Sequence, residues 1–257
     1  LLPVGSLAGK TALVTGSSRG IGADTVRYLA EAGASVVINY RNKEARALKL
    51  VAEIEAAGGT AIAVGADLTN PDDVAGFVER VREAVAEYGG LDILVLNASG
   101  GMEAGMGEDY AMRLNRDAQV EFLTAMRPLL ASGARIVFVT SHQAHFIRTV
   151  TTMPEYEAVA LSKRAGEDAL RELIPGLDAD GIGFVVVSGD MIEGTITATL
   201  LERVNPGAIA SRKEAAGRLY NASEFAAEVA LAAVAPLPEN RTRYVGDVSD
   251  FLAAGAE

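Results

Sequence analysis

The sequence predicts an α/β fold in which one doubly wound parallel β-sheet carries helices on both faces. Short apolar runs alternate with longer segments of helical periodicity from residue 11 to residue 187. These runs are continuously apolar, as expected for strands that are covered on both faces. A glycine-rich turn joins the first run to the first helical segment. That order of strand, turn and helix is how a parallel sheet with right-handed crossovers begins.

The remaining elements follow in order without an internal break. Strands are predicted over 11–15, 35–39, 60–64, 91–96, 135–140 and 183–187, with a short last strand near 243–245. Helices are predicted from the glycine turn to about residue 32, and over 43–57, 71–88, about 108–130, 154–173 and 223–235. We therefore expect a single domain over residues 1–257. The pattern loosens at about 190–215, where we expect a mobile substrate lid over a cleft.

Composition excludes several classes of function. The chain has 257 residues, 23 Lys and Arg against 34 Asp and Glu, and no basic cluster, so we expect no nucleic-acid partner. It has no cysteine, which rules out disulfides, thiolate metal ligands and a cysteine nucleophile, and we expect no metal site. No stretch approaches 18 apolar residues and no signal-peptide pattern begins the sequence. We expect a cytoplasmic protein that does not bind membranes.

The glycine turn after the first strand predicts a dinucleotide site. Glycines there let the backbone approach a pyrophosphate, and the next helix offers free N–H groups and the positive end of its dipole. The position between a strand and a helix supports this interpretation over a plain turn. The predicted contacts are Gly16, Ser18, Arg19, Gly20, Ile21 and Gly22.

The end of the second strand indicates which dinucleotide is preferred. An NAD site usually carries an acid there to bind the ribose hydroxyls, whereas this chain reads Asn39, Tyr40 and Arg41. Guanidinium groups pair well with phosphate, so Arg19 and Arg41 are candidates for the 2′-phosphate. We therefore expect NADP(H) in preference to NAD(H).

Motifs along nearly the whole chain resemble the short-chain dehydrogenase/reductase family. They are the 15–22 turn, Asp67-Leu68, Asn97-Ala98-Ser99-Gly100, Asn115, Ser141, Ser162-Lys163, and Ser188-Gly189 leading to Thr195. The resemblance implies a Rossmann-like fold and a homotetramer or homodimer. It also implies that the cofactor contacts Asp67, Leu68, Asn97, Ala98, Ser99, Gly189, Ile192 and Thr195, and that Lys163 binds the nicotinamide ribose.

One stretch departs from that family. Most members place a tyrosine four residues before the lysine, where this chain has Val159, and its tyrosine is Tyr156. Seven residues are close to two helical turns, so Tyr156 and Lys163 share a face of the helix that Pro154 begins. The longer spacing resembles the enoyl-acyl-carrier-protein reductase branch. We expect Tyr156 to donate a proton and the ammonium of Lys163 to lower the pKa of its phenol.

Other polar residues complete the predicted site. Ser141 follows a buried strand, so it either binds the substrate oxygen or caps the loop. Asn115, as the resemblance implies, organises a water beside Lys163. His142 and His145, the only histidines of the chain, are alternative proton donors or part of a polar rim.

Three functions remain open at this stage. The favoured one is NADPH-dependent reduction of an activated double bond, such as that of an enoyl thioester. The first alternative is a carbonyl or 3-oxoacyl reductase that uses Ser141 with Tyr156 or a histidine. The second is a non-catalytic NADP(H)-binding protein, suggested by Val159. The partner is a small-molecule or acyl-thioester substrate, which the sequence does not identify.

Overall fold

One seven-stranded parallel sheet forms the centre of the molecule and confirms the predicted fold class. The computed structural model describes residues 1–102, 105, 107 and 109–254. In chain order the main strands are β1 (Thr11–Val14), β2 (Ser35–Tyr40), β3 (Thr60–Gly65), β4 (Leu91–Leu96), β5 (Leu130–Ser141) and β6 (Gly183–Gly189), followed by the short β7 (Ile192–Glu193) and β8 (Tyr220–Asn221) and by β9 (Thr242–Val245). The sheet order is β3-β2-β1-β4-β5-β6-β9, so the direction of winding reverses between β1 and β4.

Helices cover both faces of this sheet. They are α1 (Gly20–Glu31), α2 (Glu44–Ala56), α3 (Pro71–Val85), α4 (Tyr110–Met112), α5 (Ala118–Met126), α6 (His142–His145), α7 (Pro154–Glu172), α8 (Ile174–Ala179), α9 (Ile196–Val204), α10 (Ala208–Ala216), α11 (Ala222–Ala232) and α12 (Ser249–Ala254). Within the described part of the chain, none of them has the length and apolar character needed to cross a lipid bilayer.

The apolar core lies in two layers, one on each face of the sheet. Along β5, Val137 and Val139 contribute to the layer beneath α1, α2 and α11, whereas Ile136 and Phe138 contribute to the layer beneath α3, α5 and α7. This alternation follows from the two-residue period of a strand. It explains why apolar residues follow one another along the central part of each long strand, as burial of each such side chain stabilises the fold by about 1.5–3 kcal/mol.

The prediction of one continuous helix over 108–130 is wrong, because the segment is divided into shorter helical pieces. Residue 108 lies outside the described residues, and α4 and α5 are separated by a π-helical turn over Arg113–Asp117. A short 3-10 turn, Arg127–Leu129, then ends the helical segment, and β5 begins at Leu130 rather than at residue 135. A π turn inserts an extra residue and redirects side chains, and here it directs Asn115 towards the backbone of Gly100.

The segment predicted as a lid, residues 190–215, contains more regular structure than its sequence pattern suggested. It includes α9, α10 and β7, and β7 pairs in parallel with β8. The helices α6, α8 and α12 were also missed, because four to six residues are too few to show helical periodicity. The lid segment lies beyond the carboxyl end of β6, the edge at which open α/β sheets bind ligands.

Candidate active site

The glycine turn after β1 has backbone conformations and close contacts that favour glycine at three of the predicted cofactor positions. Gly16 and Gly20 have φ angles of +62° and +56°, in the left-handed region that favours glycine. A Cβ on Gly22 would lie 2.7 Å from Nδ2 of Asn97 and 2.8 Å from the carbonyl oxygen of Gly16. Side chains are therefore excluded at position 22 by packing, and at positions 16 and 20 they would be strained.

The N-terminus of α1 differs from those of several other helices. Asn70, Thr195 and Asn221 cap α3, α9 and α11 by accepting backbone N–H groups. Arg19 is the N-cap residue that precedes α1, and its side chain makes no capping hydrogen bond among the described residues. First-turn N–H groups of α1 therefore remain for a ligand, and the dipole favours an anionic one. These features fit the phosphates of a dinucleotide.

Hydrogen bonds between β1 and β4 fix the next predicted contacts. The hydroxyl of Thr15 accepts the N–H groups of Asn97 at 2.9 Å and Ala98 at 3.0 Å. The side chain of Asn97 donates in return to the carbonyl of Thr15 at 3.0 Å. Asn97, Ala98 and the following Ser99 therefore lie at the carboxyl edge of the sheet, beside the glycine turn.

The end of β2 divides into a buried residue and two residues near the surface. The side-chain oxygen of Asn39 accepts the N–H of Gly16 at 3.0 Å, so this buried amide supports the turn. Tyr40 donates its hydroxyl to Glu44 at 2.8 Å. Arg41 is exposed, donates to the hydroxyl of Tyr110 and lies with its guanidinium carbon 6.0 Å from that ring centre.

The predicted contacts after β3 form a local turn. The carboxylate of Asp67 accepts the N–H of Thr69 at 2.9 Å and its hydroxyl at 2.7 Å. Leu68 is buried and belongs to the core beneath α3. The turn thus has a fixed conformation at the carboxyl end of β3, with Asp67 only partly buried.

The predicted contacts after β6 lie at the start of the lid segment. Gly189 ends β6, and a Cβ there would lie 2.6 Å from the ring of Phe225. Ile192 lies in β7, and the hydroxyl of Thr195 accepts the N–H of Ala198 at 3.2 Å. Thr195 therefore caps α9, and its availability to a cofactor stays a prediction.

Two side chains predicted to act in catalysis meet at the carboxyl end of β5. The hydroxyls of Ser141 and Tyr156 lie 3.2 Å apart and share a hydrogen bond. Ser141 also accepts the N–H of Ala144 at 3.2 Å, so it caps α6 as well as facing the phenol. Tyr156 lies in the first turn of α7 and is only 4% exposed. Both functions considered for Ser141 are therefore compatible with its position.

The expected lowering of the pKa of Tyr156 is not observed. Burial raises the pKa of its phenol, and the hydrogen bond from Ser141 offsets this in part. Burial also lowers the pKa of Lys163 to about 8. No carboxylate in the described part of the chain forms an ion pair with Lys163, which explains why desolvation acts on it without opposition.

Asn115 lies in the π turn and connects two parts of the site. Its side chain donates to the carbonyl of Gly100 at 2.8 Å and to the hydroxyl of Ser162 at 2.9 Å, and it accepts the N–H of Gly100 at 3.2 Å. A Cβ on Gly166 would lie 1.9 Å from the carbonyl oxygen of Asn115. The π turn and α7 are therefore in backbone contact one turn after Lys163.

Val159 occupies the position at which the resembling family has tyrosine. It is 5% exposed and belongs to an apolar cluster with Tyr156, Ala160 and Leu201. Its methyl group lies 3.1 Å from where a Cβ would stand on Gly101. This position is filled by packing, and among the described residues Tyr156 is the phenol that contacts Ser141.

The two histidines are engaged away from this pair. His142 is fully buried and shares a hydrogen bond of 2.8 Å with the hydroxyl of Ser188. Burial lowers the pKa of His142 to about 3, so the ring is neutral at pH 7. His145 bonds Glu167 at 2.9 Å and the hydroxyl of Tyr244 at 3.3 Å. These contacts favour the structural interpretation of both histidines over a direct role as donor.

A cavity of about 410 Å³ lies against α10, in the segment where the sequence analysis expected a lid over a cleft, but its lining residues were not predicted. Its described lining includes Gln143 from α6, Met153 from the residue before α7, and Met191 from the segment after β6. The lid segment completes it with Asn205, Pro206, Gly207, Ala208, Ser211, Arg212 and Ala215. Gln143 could have been predicted to lie near the site because it is two residues from Ser141. Nothing in the sequence indicates that Arg212 lines the cavity, because its position depends on tertiary structure.

Comparison with known proteins shows which family the chain is similar to. The family model described as short chain dehydrogenase matches residues 10–205. A short chain dehydrogenase/reductase, AacuN of Aspergillus aculeatus, is 39% identical over 171 residues, which cover 64% of this chain and 62% of the relative. A hydroxynaphthalene reductase-like protein, Arp2 of Metarhizium majus, is 37% identical over 172 residues, covering 65% and 62%. The chain thus matches less than two thirds of the length of these curated relatives.

Solved structures match over more of the chain. The angucycline C-6 ketoreductase LanV with bound NADP has a TM-score of 0.75 and 28% identity, covering 95% of each chain.

Proposed function

The chain belongs to the short-chain dehydrogenase/reductase family, and from that membership we propose that it is an NADP(H)-dependent carbonyl reductase in which Tyr156 protonates the substrate oxygen. The observation that carries this proposal is the 3.2 Å contact between the hydroxyls of Ser141 and Tyr156. Two hydroxyls that meet at the carboxyl edge of the sheet can both donate to one carbonyl oxygen. A carbonyl oxygen becomes negative as it is reduced, which is what such donors stabilise.

When bound, the nicotinamide supplies the hydride. The protein's part is to hold the carbonyl oxygen between Ser141 and Tyr156 and to deliver a proton to it. A phenol whose pKa is raised by burial is protonated at neutral pH and therefore ready to donate. In this proposal Lys163, seven residues after Tyr156 on α7, supplies the positive charge that favours the phenolate left after proton transfer.

The relatives support carbonyl reduction rather than the enoyl reduction favoured by the sequence spacing. LanV is a ketoreductase, and Arp2 is named for hydroxynaphthalene reduction. No relative reported above is an enoyl reductase. These names favour a ketone on or near a fused ring system as the substrate class.

The preference for NADP(H) is a further part of the proposal. Arg41 is exposed at the end of β2, and Arg19 is exposed at the start of α1. Either guanidinium can reach a 2′-phosphate without breaking an ion pair among the described residues. We expect Arg41→Ala to weaken NADPH binding about 10-fold or more and NADH binding less, because hydrogen bonds between charged groups contribute about 1.5–3 kcal/mol.

A turnover assay tests the reaction class. The full chain is incubated with NADPH and either bicyclic ketones, 3-oxoacyl thioesters or crotonyl thioester, and NADPH oxidation is followed with product identification by NMR. We expect turnover of ketones and none of crotonyl thioester. Turnover of crotonyl thioester alone would support the hypothesis of an enoyl reductase. Calorimetric NADPH binding without any turnover would support the hypothesis of a non-catalytic NADP(H)-binding protein.

A further inference from the structure

The cavity beneath α10 has a lining that restricts what can bind there. Met153 and Met191 line the cavity and also pack against the apolar cluster that contains Tyr156, so this wall of the cavity adjoins the surroundings of the phenol. Its volume of about 410 Å³ lies within the range of small-molecule sites. Thioether side chains are polarisable and adapt to flat apolar ligands. This wall therefore suits a largely apolar ring system.

The charge in the cavity is already neutralised. Arg212 is the only ionised side chain among the described lining residues. Its guanidinium donates to Asp190 at 2.9 and 3.1 Å, to Asp247 at 3.1 Å and to Asp250 at 3.3 Å. Three carboxylates thus surround one cation, and an anionic ligand would meet net negative charge.

The side-chain amide of Gln143 is available to form hydrogen bonds with a ligand in the cavity. Gln143 lies two residues after Ser141, is partly buried and has no hydrogen bond within the part of the chain that the structure describes. The amide of Asn205, by contrast, contacts the sulfur of Met153 at 3.6 Å. An amide can donate to a carbonyl or accept from a hydroxyl. Gln143 can therefore recognise a second oxygen on the substrate.

We propose, on the basis of the carbonyl reduction proposed above, that this cavity selects uncharged ketones and that Gln143 is a specificity-determining residue, which hydrogen-bonds an oxygen remote from the reacting carbonyl. The selectivity has two sources. Asp190, Asp247 and Asp250 hold Arg212, so anionic substrates gain no partner. The amide of Gln143 can form a hydrogen bond with a hydroxyl or carbonyl oxygen, which strengthens binding of an otherwise apolar ligand that carries one.

A binding experiment tests the charge selectivity without turnover. The protein saturated with NADP⁺ is titrated with naphthol or with naphthoate in a calorimeter. We expect naphthol to bind about 10-fold or more tightly than naphthoate, because like charges are brought together in the second case. Equal or tighter binding of naphthoate would overturn the charge selectivity, and no binding of naphthol would overturn the cavity as a ring site.

Kinetics of a matched substrate pair test Gln143. Tetralone and its hydroxytetralone isomers are compared with wild type, Gln143→Leu, and the control Thr197→Ala, which is exposed on α9 outside the cavity lining. We expect Gln143→Leu to raise KM about 3- to 10-fold for at least one hydroxytetralone. Its kcat should stay within about twofold and tetralone should be unaffected. An equal change for both ketones, or none, would overturn the role of Gln143.

The two experiments separate this inference from the proposed reaction. Selective binding of naphthol over naphthoate, and binding of a dihydroxynaphthalene that Gln143→Leu weakens, together with no ketone turnover, would support the cavity inference and contradict the reductase proposal. Ketone turnover, combined with tight naphthoate binding and no effect of Gln143→Leu, would support the reductase proposal and contradict the cavity inference.

Discussion

The proposed cofactor edge, around the glycine turn, and the proposed substrate edge, around Ser141 and Tyr156, differ in whether backbone or side chains form them. Around the glycine turn the site consists of backbone, since Gly16 and Gly20 set the turn and Gly22 admits close packing. At the substrate edge it consists of side chains from separate segments, such as Ser141 after β5 and Tyr156 on α7. A site made of backbone needs only a few glycines close together in sequence. One made of side chains depends on how distant segments pack.

The two edges also treat charge differently. The start of α1 has no side-chain cap, and Arg41 at the end of β2 is exposed. The substrate edge instead buries or neutralises its charges, as for Lys163, whose pKa burial lowers, and Arg212, which three carboxylates hold. The cofactor edge therefore suits a phosphate-bearing ligand and the substrate edge an uncharged one.

The largest effect is expected from Tyr156, and it affects the substrate edge alone. Tyr156→Phe should lower kcat about 10²- to 10⁴-fold, the contribution of a positioned general acid, and leave the dissociation constant of NADPH within about twofold. Steady-state kinetics and calorimetry measure the two. The double change Tyr156→Phe with Val159→Tyr should not restore activity, since Val159 is packed against Gly101. Retention of full activity in Tyr156→Phe would refute its role as donor.

The second prediction concerns Lys163, whose pKa of about 8 means that its ammonium is charged below that pH and neutral above it. If the ammonium stabilises the phenolate, kcat/KM for ketone reduction should fall as pH rises through about 8, by up to about 10-fold per pH unit. Lys163→Arg keeps its charge in this range, so its profile should be flat there. A wild-type profile that rises above pH 8 would contradict this assignment.

The third prediction tests the backbone construction of the cofactor edge. Gly22→Ala places a methyl group 2.7 Å from Asn97 and 2.8 Å from a backbone oxygen, and such overpacking costs about 1–3 kcal/mol. NADPH binding should weaken about 10-fold or more as the turn shifts. Gly76→Ala is the matched control, because Gly76 is exposed on α3 with nothing within 4 Å. Calorimetry should show unchanged NADPH binding for Gly76→Ala.

This difference between the edges explains how much the sequence could predict. The sheet, the main helices and the position of the glycine turn follow from local patterns, and the structure confirms the fold. The pairing of Ser141 with Tyr156 was anticipated only as one alternative, because it depends on how the segment between them folds. Gln143 and Arg212 were missed, since their surroundings come from segments far apart in the chain. The prediction of a continuous helix over 108–130 was wrong at the π turn, because a π turn leaves no periodic pattern in the sequence.

The smallest effect on turnover is expected at His142, beside the substrate edge. His142→Phe should leave kcat within about twofold, because the ring bonds Ser188 and not the Ser141–Tyr156 pair. Its effect on stability should depend on pH. Because the pKa of His142 is lowered to about 3 in the folded protein and is about 6.5 in the unfolded chain, its contribution is present above pH 6.5 and is lost as pH falls towards 3.

At pH 7, His142→Phe should be less stable than wild type by about 1–3 kcal/mol, since the buried hydroxyl of Ser188 loses its partner. Between pH 6.5 and pH 5 the wild type alone loses stability through this group, by about 1.4 kcal/mol per pH unit. The gap should therefore narrow by about 2 kcal/mol at pH 5, measured by urea unfolding of both proteins. A gap that does not change with pH would show that the ring is not buried in its neutral form, and a collapse of kcat would return His142 to the candidates for proton donor.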